Sequence, residues 1–172
     1  MTKEEFESEL REKLRLTEVT PGNWVGRTAI PEFIVTQPFV LMVRLVELSQ
    51  RATTNPQSQR PSAVAVAMNL ALQVDKNHKA VYEYLLGING EKTLGAFFIG
   101  DEDQIAIGVE MPCGSDPGNY FSKEELALMM MAVVTTVKEH YTPIVQLVHA
   151  EETPVGTGFL DKWKTRVGKQ GK

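Results

Sequence analysis

The chain has 172 residues, 42% hydrophobic and 23% charged, the composition of one ordinary globular domain large enough to bury a core. Its net charge of −4 argues against nucleic acid as a partner, because that affinity rests on neutralising phosphates. The single cysteine, Cys113, excludes an internal disulfide framework, and the charged start Thr2-Lys3-Glu4-Glu5 does not read as a secretion signal.

No apolar run is long enough to span a bilayer, so a cytoplasmic protein without membrane contact is expected.

The first element is a short amphipathic helix. Thr2 and Glu5 match a capping box, and Phe6, Leu10 and Leu14 make one apolar stripe. Pro21-Gly22-Asn23 turns the chain into a strand from Trp24 to Ile30, limited by Pro31. A second strand, Phe39 to Leu48, is apolar on both faces apart from Arg44 and Glu47, which suits a central position. The polar segment Ser49 to Ser62, with its two X-Pro steps, reads as a long loop and the candidate for internal disorder.

Ala63 to Val74 has the alanine content of a helix, yet Val64, Val66, Met68, Leu70, Leu72 and Val74 alternate without a break. Twelve residues of period two outweigh propensity, and a strand is expected. A helix follows from about Asn77 to Leu86, with Gly87 placed to end it. Leu94 to Phe98 and Ile105 to Met111 alternate around Gly100-Asp101-Glu102-Asp103, the pattern of a hairpin. Pro112 to Gly118 is a loop. Ser122 and Glu125 then form a second capping box, and Leu126, Met129, Met130, Val133, Val137 and Tyr141 make a core stripe up to Pro143, expected to break the helix. No internal repeat is present.

The leucine-glycine end of the second helix (Leu85-Leu86-Gly87-Ile88-Asn89) and the hairpin residues Gly95-Ala96-Phe97-Phe98-Ile99 with Asp101-Glu102-Asp103 resemble the YbjN-like family. The likeness extends to Ile105-Ala106-Ile107, Met111-Pro112, Phe121 to Leu126 and Tyr141-Thr142-Pro143, and covers about Asn77 to Leu147. The first half shares only the order of elements. More distantly the chain is similar to the type III secretion chaperones that share this fold. The resemblance implies a small non-enzymatic dimer that holds segments of other proteins, with an undefined regulatory role. The loop at Ser49 to Ser62 and the basic tail depart from the secretion chaperones.

The fold expected is α+β: a single antiparallel β-sheet with helices on one face, in the order α-β-β-β-α-β-β-α. It forms one domain over 1–150, followed by a basic tail over 151–172.

The residues offer no reacting constellation. His78, His140 and His149 have no metal-ligand spacing among themselves or with Cys113, and His140 is expected to cap the last turn of its helix. Asp101-Glu102-Asp103 lacks the ligand repeat of a calcium loop, and Cys113 has no histidine partner to activate it. No glycine-rich phosphate motif occurs. Neither enzyme chemistry nor a cofactor or metal is therefore expected.

Binding residues are easier to name. A four-residue hairpin turn sets Phe98 against Ile105 on a bulky face and leaves Phe97 opposite Ala106 on a face of small residues. That face either admits a partner backbone or is a lightly clothed solvent side. Met131 flanks the core stripe and suits an adaptable contact surface. In the tail, Phe159 and Trp163 fall at near-helical spacing and are expected to dock on the domain or on a dimer mate. Arg44 interrupts an apolar strand and serves either a salt bridge or an anion. The expected function is a non-enzymatic protein-binding or chaperone-like regulator, a homodimer whose partner is a protein or peptide segment. The alternative is a small-molecule or anion-binding regulatory module built around Arg44.

Overall fold

The computed structural model describes residues 1–33, 37–47, 61–91, 94–114 and 121–150. Helix α1 (Lys3–Ser8) continues as a π-helical turn over Glu9–Lys13 and leads to β1 (Thr17–Thr20), β2 (Asn23–Thr28), β3 (Phe39–Glu47) and β4 (Pro61–Gln73). After α2 (His78–Glu91) come β5 (Ala96–Ile99), a 3-10 turn at Asp101–Asp103, β6 (Gln104–Pro112) and α3 (Lys123–His149). All six strands join one antiparallel sheet in the order β1-β2-β3-β4-β6-β5. The α+β class and the single antiparallel sheet are as expected.

Strand β1 was not expected. Its residues Thr17 to Thr20 are all exposed, so no hydrophobic alternation marks them. The tight turn to β2 places Gly22 at φ +73°, a conformation glycine adopts without strain. This short polar strand ends the sheet with little apolar edge to offer another chain.

The inner face of the sheet carries the core. Trp24, Val43, Val66 and Val109 share one cross-strand row, and Leu41, Met68, Ile107 and Phe97 share the next; all are buried. In β4 every even-numbered side chain from Val64 to Leu72 is buried, as the alternation requires. Helix α3 lies on β4 and β6, and α2 packs on β5 and α3. The α1 region reaches the same side, with Arg11 over the Trp24 ring at 5.3 Å and Phe6 edge-on to Phe121 at 6.1 Å. Both capping boxes form. Glu5 N donates to Thr2 Oγ1 at 3.2 Å, and Glu125 N donates to Ser122 Oγ at 3.0 Å.

Two helices run further than their sequences suggest. Helix α2 passes through Gly87 and Gly90 to Glu91, and α3 passes through Pro143 to His149. A proline inside a helix costs about 3 kcal/mol. Burying Ile144 and Val148 beyond it contributes about 1.5–3 kcal/mol each, which offsets that cost. In α2, Ile88 is buried past the first glycine. Asn89 also joins the helix to the sheet: its Nδ2 donates to Phe97 O at 2.8 Å, and Phe97 N donates to its Oδ1 at 2.7 Å.

The hairpin register differs from expectation by one residue. Gly100 N donates to Gln104 O at 2.8 Å, so only Asp101, Glu102 and Asp103 lie in the loop. Glu102 and Asp103 take φ near +58° and +57°, left-handed values that let a three-residue loop reverse the chain. Ile99 therefore pairs with Ile105, Phe98 with Ala106 and Phe97 with Ile107. A one-residue shift exchanges the two faces of a strand. Phe97 points to the helices and is 4% exposed, whereas Phe98 lies on the opposite face at 46%.

Candidate functional site

The outer face of the sheet has no helix on it among the described residues. Its side chains fall into three cross-strand rows. The first runs Val25, Met42, Ala67, Gly108, Ala96, and the second runs Arg27, Val40, Asn69, Ala106, Phe98. The third runs Asn23, Arg44, Ala65, Glu110. Large and cationic side chains occupy β2 and β3, alanines occupy β4, and β6 carries Ala106, Gly108 and Glu110. A Cβ added to Gly108 would lie 3.2 Å from Phe98 Cε1, so the Phe98 ring leans across that glycine. The middle of this face is apolar and thinly clothed, with Arg27, Arg44 and Glu110 around it.

At one end of this face lies a cleft of about 430 Å³, lined by Arg27, Gln37, Pro38, Val40, Asn69, Ala71 and Gln104. Asn69 Nδ2 donates to Gln104 Oε1, and Asn69 Oδ1 accepts from Ala71 N at 2.8 Å. That second bond holds Ala71 at φ +53°, where β4 bulges and its register against β6 shifts. The lining contains one guanidinium, three carboxamides and no carboxylate.

Arg44, the candidate anion ligand, is exposed in the third row and does not line the cleft; Arg27 does. Met131 is 61% exposed on the solvent side of α3. Phe97, expected on the small-residue face, belongs to the core instead, because the three-residue turn inverts β5. Phe159 and Trp163 lie outside the described residues. So does the loop expected from Ser49 to Ser62, apart from the final two residues that open β4.

His140 sits in the body of α3 rather than in its last turn. Tyr84 Oη lies 3.2 Å from its Nδ1, and the Phe97 ring meets the imidazole edge-on at 6.1 Å. Burial raises the pKa of Tyr84, since a phenolate would lose its hydration there. This cluster ties α2, α3 and β5 together, and Glu139 Oε2 lies 3.7 Å from His140 Nε2 at its edge. Among the described residues, no three His, Cys, Asp or Glu side chains converge as a metal site. No described helix is long and apolar enough to cross a membrane.

Two residues of the site, Arg27 and Phe98, and one structural residue, Asn89, were missed in the sequence. Arg27 lies next to last in a short strand, where nothing in its spacing singles it out. Phe98 was given the wrong face with its register. Asn89 was read only as part of a helix end, although an asparagine after Gly87 signals a polar contact. Neither a protein-family model, nor a curated protein, nor a solved structure matches this chain.

Proposed function

We propose that this protein is a non-enzymatic protein-binding module, chaperone-like or regulatory, and that the outer sheet face is its working surface. One observation carries the reading: three helices cover one side of a six-stranded sheet, while the other side carries Val25, Val40, Met42, Ala65 and Ala67 half-buried and Phe98 exposed, with no helix over them among the described residues. A helix-free face of mixed apolar and charged side chains like this one suits an interaction site. The likeness to the YbjN-like family and to type III secretion chaperones supports the same reading.

The test is photo-crosslinking in the native host. A photoreactive residue replacing Ala67 should give protein adducts, whereas one replacing exposed Lys79 on α2 should not. Equal labelling from both positions, or none from position 67, overturns the reading.

The cleft favours a second reading, a binding site for a small anion. Arg27 and the Asn69 and Gln104 carboxamides supply donors without a competing carboxylate. Calorimetric titration with inorganic phosphate and with succinate tests it. Saturable heat that disappears in Arg27→Gln supports an anion site, and no heat in the parent chain excludes it.

A further inference from the structure

The outer face is not symmetric about its middle strand, and the asymmetry has a consequence. Across β4, each row sets a large or cationic residue on one side against a small, acidic or aromatic residue on the other. Met42 and Gly108 lie one strand either side of Ala67, and Val40 and Ala106 lie either side of Asn69. Arg44 and Glu110 lie either side of Ala65. One strand further out, Arg27 is matched by Phe98 and Val25 by Ala96.

Consider a second copy laid face to face by a two-fold axis parallel to β4. The rotation keeps position along the strand and exchanges left for right. Arg44 of one copy then stands over Glu110 of the other, and the reverse contact forms by symmetry. Met42 stands over Gly108 beside the Phe98 ring, where its thioether meets an aromatic edge. Val40 covers Ala106, and Arg27 stands over the Phe98 ring in cation–π geometry. The axis itself runs over Ala65 and Ala67, whose small side chains allow the two sheets to approach closely. A two-fold axis running across the strands along the row of Arg44, Ala65 and Glu110 would instead stack Arg44 on Arg44 and Glu110 on Glu110, which electrostatics opposes. The first arrangement matches charge to charge and large to small.

Size is adequate as well. β3 is nine residues long. With about 3.3 Å per residue and about 4.8 Å between strands, the five strands from β2 to β5 present roughly 600 Å² per copy. Two such faces give about 1,200 Å², the lower end of stable interfaces. Arg44 and Glu110 are both exposed, and neither has an ion-pair partner among the described residues.

We infer that the outer sheet face is a homodimer interface, with its two-fold axis parallel to β4 and reciprocal Arg44–Glu110 pairs across it. The inference rests on the reading of this face as a protein-binding surface and names its occupant as a second copy of the chain.

Sedimentation velocity of the full chain over a dilution series tests it. The parent chain should dimerise reversibly. Arg44→Glu and Glu110→Arg should each raise the dimer dissociation constant at least about tenfold, by setting like charges face to face. An equimolar mixture of the two variants should recover dimers, because in the mixed pair both contacts again join opposite charges. The doubly exchanged R44E/E110R chain should dimerise with itself for the same reason. Both positions are exposed, so circular dichroism and melting temperature should stay at parent values; Ala67→Arg provides an independent block at the axis if either variant misfolds. A parent chain that stays monomeric, a dimer that neither variant weakens, or a mixture that fails to recover overturns the inference. The crosslink from position 67 separates this outcome from the function itself. An adduct between two copies supports both, an adduct to another protein keeps the surface and removes the second copy, and no protein adduct removes both.

Discussion

Gly87 and Gly26 show how differently the same residue type can be used. Gly87 lies inside α2 with open space where a Cβ would project. Gly87→Ala should therefore raise stability by about 1 kcal/mol in urea unfolding, with an unchanged slope. At Gly26, a Cβ would stand 2.5 Å from the buried Leu16 Cδ2 and 3.4 Å from Arg15 O. Gly26→Ala should lower stability by about 1–3 kcal/mol, because the incoming segment cannot retreat. Adjacent phenylalanines give a sharper contrast. Phe97→Ala removes a ring from the core and should cost about 3–5 kcal/mol, whereas Phe98→Ala should cost well under half of that. A reversed order in denaturant midpoints would restore the four-residue turn and place the hairpin one residue away from the register described.

Among the elements, α3 most clearly depends on its surroundings. A proline ten residues after Val133 is a stop signal in the sequence, but Ile144 and Val148 continue the buried stripe on the far side. Ile144→Ala should lower stability by about 2–5 kcal/mol, as for a fully packed aliphatic side chain. Pro143→Ala should raise it, by up to about 3 kcal/mol, by restoring a backbone donor to the helix. Thermal melts of the two variants should move in opposite directions. If Ile144→Ala leaves the midpoint unchanged, the last two turns of α3 are not docked on the sheet. Asn89 plays a related part for β5, the edge strand beyond β6, by bonding the Phe97 N–H and C=O that no neighbouring strand reaches.

For the whole molecule, a few titrating contacts add a modest pH dependence to stability. Lys123 is raised by its hydrogen bond to Glu9 and then by that carboxylate's charge, while Tyr84 and Tyr141 are raised by burial. A raised pKa means that the folded state holds the proton more tightly. These contributions are complete below the unfolded values, near pH 10, and are lost as pH rises through the folded ones. Glu32 is lowered chiefly by its hydrogen bond from Lys138, so its contribution exists above the usual glutamate range and disappears as pH falls through the folded value. The melting temperature should accordingly decline above about pH 10 and below about pH 4. Lys123→Met combined with Tyr84→Phe should flatten the alkaline decline, and an alkaline limb as steep as the parent's would remove these groups as its cause.

Several properties that depend on near neighbours along the chain were determined by the sequence. The two capping boxes, the strand periodicity of β4 and the stripe of α3 follow from spacings of two, three or four residues. Together they suffice for an α+β domain with one antiparallel sheet. Distant contacts and one local turn decided the rest. Polar β1 is a strand only because β2 pairs with it, and Pro143 is tolerated only because residues beyond it find a sheet to cover. The face of Phe97 turned on a loop of three residues rather than four, a choice settled by left-handed backbone at Glu102 and Asp103, neither of which is glycine. Part of the candidate site was legible as a run of small residues in β4 and β6. Its composition as a surface was not, since Arg44, Ala65 and Glu110 become neighbours only when three strands far apart in sequence are set side by side. Alternation along a strand tells which residues share a face, but only the pairing of strands tells what each of them stands beside.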